Sequence, residues 1–345
     1  MRETVTFTSG SVDHYYDGFG MLDSIVPKAT CIIITDSNIA DLYKEQLAGY
    51  KTIVLPPGEE QKNIQTITSI AEKLVAYEAH RGTWLVGVGG GVITDITGFV
   101  AATYMRGVPF GFVPTTLLAM VDAAIGGKNG VDFGLQKNLL GTIRQPKFIL
   151  QDASFLDTLP ALEWSNGFAE VIKYGCIFDN ALFDILEKND LEYYRNHREA
   201  LTTIISRCAA WKNKTVAADE TETGVRKLLN FGHTAGHAIE TVHSLPHGQA
   251  VALGMLIACI ISEKVSGIDK EVRQRLGHVL RNYGLPVTCR VNIDEAMQVL
   301  KMDKKRNAGD VDFIVLEQIG TARIQRIGFD VIHGALIIFN DECNS

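Results

Sequence analysis

The chain has 345 residues, 46% of them hydrophobic and 21% charged, with a formal net charge of −7. This composition excludes a disordered polymer, and the acidic balance argues against a nucleic-acid binder, whose footprint is usually basic. The length suits two domains, each able to bury a core of its own.

An anionic ligand must therefore be caught by a local cluster of cations and not by overall charge. The six cysteines (Cys31, Cys176, Cys208, Cys259, Cys289 and Cys343) form no CxxC pair, and several lie in apolar runs. That is the pattern of buried free thiols in a reducing compartment. The opening Met1-Arg-Glu-Thr-Val-Thr-Phe7 lacks the apolar core of a signal peptide. The apolar run 251–261 is too short to span a bilayer. A cytoplasmic location is expected, with neither nucleic acid nor membrane as partner.

Taken in order, residues 1 to about 150 alternate short β-branched runs with helical segments. Residues 31–35 form a buried-strand run, and Asp36-Ser37-Asn38 then offers helix-capping side chains. Residues 52–55 are the next strand, closed by Pro56-Pro57-Gly58. Residues 63–77 carry helical periodicity, with Ile64, Ile67, Ile70, Ala71 and Leu74 on one side. Residues 84–88 form a third strand that runs into Gly89-Gly90-Gly91. This alternation predicts a parallel sheet with helices on its faces, an α/β nucleotide-binding domain over residues 1–152.

Glycines at a strand end let the backbone approach a pyrophosphate, and the following helix N-terminus favours negative charge. The segment Gly87-Val-Gly89-Gly90-Gly91-Val-Ile-Thr-Asp95 departs from GxGxxG and also suits a plain tight turn. Thr115 and Thr116, after the next strand at the same sheet edge, can donate further hydrogen bonds, and together these features favour a dinucleotide. Residues 120–147 hold a second glycine-rich region, Asp122-Ala-Ala-Ile-Gly126-Gly127-Lys128-Asn129-Gly130, followed by Lys137-Asn138. It is too irregular for a helix and too apolar for a plain exposed loop. Lysines beside glycines suit phosphate or carboxylate; two surface lysines on a hairpin account equally well for the spacing.

Beyond residue 152 the pattern turns helical, so residues 153–345 are expected to form a mainly helical domain. Residues 161–174 read as one helix, in which Glu170 and Lys173 share a face. Such a pair is usually a surface ion pair, but its apolar neighbours Phe168, Val171, Ile172 and Tyr174 favour burial. Helices follow over 198–217, 249–265, 270–283 and 293–300. After Asp303-Lys304-Lys305, a strand over 311–316 is expected to pair with 322–325.

The densest chemistry lies between Arg226 and Val251, where four of the nine histidines fall within 233–247. Read as a helix, it places Arg226, Asn230, His233 and His237 on one stripe, while Leu228, Leu229, Phe231 and Ile239 give it apolar sides to bury. A polar stripe on a buried helix costs stability unless something satisfies it. Pro246 and Gly248 mark the following turn and leave His247 at the head of the next helix. The stretch reads as a metal and anion site, and i,i+4 spacing pairs His233 with His237 as a zinc chelate.

These motifs, in this order, resemble the 3-dehydroquinate synthase family of sugar-phosphate cyclases from about residue 30 to 330. The resemblance rests on Gly89-Gly-Gly-Val-Ile-Thr-Asp, Val113-Pro-Thr-Thr-Leu-Leu, Gly126-Gly-Lys, Lys137-Asn, Ala169-Glu-Val-Ile-Lys-Tyr-Gly, Ala218-Asp-Glu, Leu229-Asn-Phe-Gly-His-Thr-Ala-Gly-His-Ala-Ile-Glu and His247-Gly-Gln-Ala-Val. It implies an enzyme of the dehydroquinate synthase-like fold, a cytoplasmic homodimer using NAD and a divalent metal, zinc or else cobalt. The implied reaction turns 3-deoxy-D-arabino-heptulosonate 7-phosphate into 3-dehydroquinate and phosphate, in the shikimate pathway. It proceeds by transient oxidation, phosphate elimination, reduction and intramolecular aldol closure, so NAD is recycled within each turnover.

By the same resemblance, the metal ligands are Glu170, His233 and His247, and His237 passes to the substrate side. Lys128, Lys137, Asn138, His237 and one of Lys304 or Lys305 resemble phosphate and carboxylate contacts. Asp122, Lys173, Lys212, Arg226 and Asn230 resemble the remaining substrate contacts. Asp36, Asn38, Glu59 and Lys62 match the adenosine half of the cofactor; Gly90, Gly91, Asp95, Thr115, Thr116 and Thr158 match the rest, with Lys128 and Lys137 close by. Arg106 matches an arginine that reaches the neighbouring subunit's active site, although an arginine favoured by a helix-end dipole reads the same way in sequence. Asn129 stands where threonine is usual, Gln249 where glutamate is, and Thr221 where arginine is. A metal-dependent alcohol or glycerol dehydrogenase, another sugar-phosphate cyclase, and a non-catalytic binding protein without the metal triad are the alternatives.

Overall fold

The computed structural model describes residues 2–134, 136–303 and 310–343; Lys304 and Lys305 lie outside them. The chain divides into two compact units, residues 1–160 with 205–221, and residues 161–204 with 222–345.

The first unit is built on a seven-stranded sheet. In chain order it holds β1 (Arg2–Phe7), β2 (Gly10–Tyr16), α1 (Leu22–Ile25), β3 (Cys31–Asp36), α2 (Ser37–Leu42), β4 (Lys51–Leu55), α3 (Ile64–Ala76), β5 (Trp84–Gly89), α4 (Gly91–Thr103), β6 (Phe110–Pro114), β7 (Lys128–Phe133), β8 (Gln136–Ile143) and β9 (Phe148–Gln151). The sheet order is β1-β2-β9-β6-β5-β3-β4. Every pairing is parallel except that of β1 with β2. The central strands are buried on both faces, as Cys31, Ile32, Ile33 and Ile34 show, which is why they read as continuous apolar runs. Asp36 caps α2 by accepting the Ile39 N–H at 3.1 Å, and Asn63 caps α3 by accepting the Thr66 N–H at 2.9 Å.

The region 120–147 is more regular than its sequence implies. An Ala119–Ala123 turn closes with the Ala124 N–H donating to the Ala119 carbonyl at 3.1 Å, and β7 and β8 then form an antiparallel hairpin. Alternation of buried and exposed residues is weak on that hairpin, so its strands carried little signal in sequence.

The second unit is mainly helical. It holds α5 (Ala161–Phe178), α6 (Asn180–Glu187), α7 (Leu191–Asn196), the start of α8 (Arg198–Ala218), α9 (His233–His243), α10 (His247–Ser266), α11 (Lys270–Asn282), α12 (Ile293–Asp303) and α13 (Phe329–Glu342). Strands β10 (Asp310–Gln318) and β11 (Thr321–Gly328) pair antiparallel, with Phe313 opposite Gln325 and Leu316 opposite Ala322.

Two expectations need correction. The stretch from Arg226 to His243 is not one helix: a short 3-10 turn, Val225–Asn230, ends before Gly232, which takes φ +79° and starts α9 afresh. Glycine tolerates that left-handed backbone where Phe231 or His233 would strain. The apolar run 251–261 sits inside a helix of 20 residues, so length alone does not exclude a bilayer span. Its most apolar 18-residue stretch is 78% buried, the behaviour of a core helix.

Candidate active site

In the second unit, close backbone packing brings the key side chains together. A Cβ at Gly254 would lie 2.0 Å from the Gly232 carbonyl oxygen, and one at Gly236 would lie 2.9 Å from that of Ala250. So α9 and α10 touch backbone to backbone. A Cβ at Gly248 would lie 2.4 Å from Asn166 Cα, which seats the first turn of α10 directly on α5. These three contacts set His233 at the head of α9, His247 at the head of α10, and Glu170 one turn beyond Asn166.

Glu170, His233 and His247 each offer one ligand atom, and these atoms lie within 4.8 Å of one another. Glu170 Oε1 is 3.5 Å from His233 Nε2 and 3.4 Å from His247 Nε2. The Lys173 ammonium closes on Glu170 Oε2, and both side chains are buried, so the α5 pair is not a surface ion pair. His233 Nδ1 donates to the Phe231 carbonyl at 3.1 Å, which leaves the Nε2 lone pair for a ligand. Burial works to raise the Glu170 carboxyl, but the Lys173 ammonium and the imidazoles outweigh it and hold the carboxyl well below the ordinary range. Burial, reinforced by Lys173, pushes His233 down. Burial also opposes a charge on His247, yet Glu170 and Glu240 lift it to about 9.

One carboxylate and two imidazoles in this arrangement fit a zinc-type centre with an open coordination position. His237 belongs to a second group with Glu240 and His247. Its ring centroid is 5.4 Å from that of His233. Arg226 is buried, and the Asn230 amide donates to Glu222 Oε1 at 2.7 Å.

In the first unit, the strand order reverses beside β3. The connection from β3 leads to β4 on one side, whereas β5 and β6 lie on the other. Ligands of open parallel sheets bind in the crevice at the strand C-termini where that reversal occurs. Asp36 ends β3 and Gly89 ends β5, so both flank it. A Cβ at Gly89 would lie 2.7 Å from the Ile93 side chain, and one at Gly90 would lie 3.1 Å from Thr116. The turn has no room for side chains, and it opens the α4 N-terminus to an anion.

Lys62 is buried and pairs with Asp95 at 2.7 Å and Glu59 at 3.7 Å. Burial lifts the Asp95 carboxyl to about 6 in spite of Lys62. Glu59, Lys62, Asn63 and Asp132 contribute to the lining of a cavity of about 340 Å³. Asn38 is exposed on α2. Thr115 is buried, its N–H donating to the Gly89 carbonyl at 3.0 Å; Thr116 Oγ1 accepts the Ala119 N–H at 3.2 Å. The Thr158 hydroxyl is 2.7 Å from that of Tyr43.

Asp122 pairs with Lys212 of α8 at 2.8 Å. Lys128, Lys137 and Asn138 are exposed on the hairpin, and Asn138, at φ +54°, donates its N–H to Asp132 Oδ1 at 2.7 Å. Arg106 is exposed in a turn where Met105 and Arg106 take φ +50° and +66°.

Asn129 has a structural reason to differ from threonine. Its amide nitrogen donates to the carbonyls of Gly127 at 2.7 Å and Arg144 at 3.0 Å, two bonds that one hydroxyl hydrogen cannot make. A Cβ at Gly98 would lie 1.8 Å from Asn129 Oδ1, so glycine there makes the space. Nothing in the structure explains Gln249 or Thr221. Glu240 and Glu222 were not singled out from the sequence. For Glu240 the available signal was its place one turn after His237.

A parallel α/β unit with a glycine turn at its switch point and a helical unit holding a Glu-His-His centre suited to a metal together suit a metal- and dinucleotide-dependent enzyme. The 3-dehydroquinate synthase N-terminal family model matches residues 52–166, and the C-terminal model matches residues 167–306. The 3-dehydroquinate synthase of Nitrosospira multiformis is 42% identical over 304 residues, covering 85% of this chain and 83% of the relative. That of Geobacter sp. is 40% identical over 310 residues, covering 86% of each. Among solved structures, 2-epi-5-epi-valiolone synthase from Streptomyces hygroscopicus, with NAD⁺ and Zn²⁺ bound, is 28% identical with a TM-score of 0.88 over 99% of both chains. The chain belongs to the 3-dehydroquinate synthase family.

Proposed function

We propose that this protein converts 3-deoxy-D-arabino-heptulosonate 7-phosphate into 3-dehydroquinate and phosphate. The observation that carries the reading is the buried Glu170–His233–His247 centre with Lys173 pressed against it, in a chain of this family. When bound there, zinc supplies a Lewis acid that acidifies substrate hydroxyls, and NAD supplies a hydride acceptor whose hydride returns within the turnover.

The protein's own groups bind, orient and exchange protons. Glu170, His233 and His247 hold the metal, with cobalt an acceptable substitute, and Lys173 balances the Glu170 charge while facing the substrate. Arg226 and Asn230 orient the substrate, as does the Asp122–Lys212 pair. Lys128, Lys137, Asn138 and His237 gather its phosphate and carboxylate; a dense cation cluster is what a phosphate ester needs in an acidic chain. Gly90, Gly91, Thr115, Thr116 and Thr158 take the pyrophosphate and nicotinamide side of the dinucleotide. Asp36, Asn38, Glu59, Lys62 and Asp95 take the adenosine side. The glycine turn supports this: a Cβ at Gly89 or Gly90 would run into Ile93 or Thr116, so the backbone there stays bare for a close-approaching pyrophosphate.

Residues 1–152 act as the NAD-binding domain and residues 153–345 as the metal- and substrate-binding domain of a cytoplasmic homodimer. Arg106 serves the partner subunit's site. Its exposed, left-handed turn supports that role, because such backbone costs about 1–3 kcal/mol and persists where function requires it. The test is to incubate the protein with the heptulosonate phosphate, NAD and zinc, and to follow phosphate and carbocycle together. Equal amounts of both, abolished by a chelator and restored by zinc, support the reading. Neither product from a zinc-loaded, folded protein overturns it.

A further inference from the structure

His247 has two ring nitrogens, and they face different carboxylates. Nε2 is 3.4 Å from Glu170 Oε1, on the side of the metal centre. Nδ1 is 3.3 Å from Glu240 Oε2, at the far edge of the ring. The Glu240 side chain is only 12% exposed, whereas that of His247 is 37% exposed. The histidine is thus the accessible member of the centre, and its ring is steered from behind by a better-buried group.

His233 solves the same problem with backbone: its Nδ1 donates to the Phe231 carbonyl at 3.1 Å. Among the described residues, no backbone carbonyl plays that part for His247. It is the first residue of α10, preceded by Pro246 and Leu245, and its Nδ1 meets the Glu240 side chain near the end of α9. A carboxylate can only accept, so it selects the tautomer with hydrogen on Nδ1 and the lone pair on Nε2. That is the tautomer a ligand at Nε2 requires.

We infer that Glu240 is the positioning residue for His247, fixing its tautomer and ring orientation for the metal centre. The inference rests on the metal reading of Glu170, His233 and His247. It assigns a reason for the HAIE spacing: Glu240, one turn after His237 on α9, faces back toward the head of α10. The α9–α10 backbone contact at Gly236 and Gly254 makes that reach possible. The alternative use of the same atoms is a second metal ion held by His237, Glu240 and His247, whose ligand atoms also lie within 4.8 Å. Both uses cannot hold together, because a metal on Nδ1 displaces its hydrogen.

The full-length protein is stripped with a chelator, and zinc affinity is measured by competition with a chromophoric chelator for wild type, Glu240→Ala and Glu240→Gln. Thermal melts of the metal-free proteins verify folding, and the cobalt-loaded proteins are compared by visible absorption. The inference expects one zinc per chain in wild type and a 10- to 100-fold weaker affinity in Glu240→Ala, in the range of outer-shell partners. Glu240→Gln, which still offers an accepting oxygen, recovers most of the affinity and the wild-type cobalt spectrum. Equal affinity in wild type and a folded Glu240→Ala overturns the inference and leaves the metal centre standing. Two metal ions per wild-type chain, with one lost in Glu240→Ala, overturn it in favour of the second site. Failure of wild type to bind zinc or cobalt at all overturns both the inference and the metal reading beneath it.

Discussion

Replacing Gly254 by alanine tests how the centre is assembled. The new Cβ would lie 2.0 Å from the Gly232 carbonyl oxygen, and Cβ atoms essentially never approach closer than 3.0 Å. The clash is with backbone, so no side chain can swing away. The α9 and α10 backbones must part by about 1 Å, while ligand distances at a metal site tolerate only about 0.2 Å. His233 and His247 start those two helices, so the separation is felt at the ligands. Overpacking of this kind costs about 3 kcal/mol, or roughly 6–12 °C in Tm for a domain of this size.

The assay is a thermal melt without metal, paired with zinc titration. Gly254→Ala should melt lower and bind zinc at least tenfold more weakly. Gly334→Ala is the control: a Cβ there meets nothing within 4 Å on α13, so it should stabilise by roughly 0.5–1 kcal/mol and leave zinc binding untouched. A Gly254→Ala protein with wild-type Tm and zinc affinity would refute the argument that these glycines set the ligand geometry.

Lys173→Met strands the buried Glu170 carboxylate and should cost about 3–5 kcal/mol by denaturant unfolding, with Glu170→Gln in the same chain recovering most of it. His14, buried beside Asn213 at 3.1 Å, has its pKa lowered to about 4 by burial. The unfolded chain therefore binds a proton that the folded one refuses. Stability should fall as pH drops from about 6.5 to about 4, by up to about 3 kcal/mol, and His14→Gln should flatten that slope. Inactive Arg106→Ala and inactive Glu170→Ala chains, allowed to exchange subunits, should regain activity through the one intact site of each heterodimer. A mixture that stays dead would show that Arg106 serves its own subunit. His237→Ala should slow turnover while retaining bound metal, and loss of metal to the level of a His233→Ala protein would return His237 to the ligand set.

The strands β3 and β5 were legible because both faces are buried and the sequence is nearly continuously apolar there, and β4, an edge strand with Val54 exposed, was legible from its short β-branched run closed by Pro56-Pro57-Gly58. The strands β1 and β2 carried no comparable run, and although β9 is a short buried apolar run, its pairing with β2 spans more than 130 residues and leaves no local pattern. The hairpin β7–β8 was obscured by glycines and exposed polar positions. The break at Gly232 escaped notice because polar residues spaced by four, three and four on both sides of it imitate one helix. Residue spacing alone pointed to His233 and to a histidine at the next turn, but Glu170 and the ligand role of His247 came only through the family resemblance, since the approach of α5 to α10 depends on Gly248 and Asn166, residues with no chemistry of their own. Glu240 was missed for a related reason: its partner is seven residues on, in a different helix.

The central claim is a cyclisation in which the dinucleotide is restored at every turnover, and NAD accounting tests it most directly. The zinc-loaded protein is given excess heptulosonate phosphate and a small, known amount of NAD, while absorbance at the NADH band and released phosphate are recorded together. The account predicts many molecules of phosphate and carbocycle per NAD supplied, with no net accumulation of NADH. One NADH formed for each substrate consumed, with no phosphate released, would contradict it and identify a dehydrogenase.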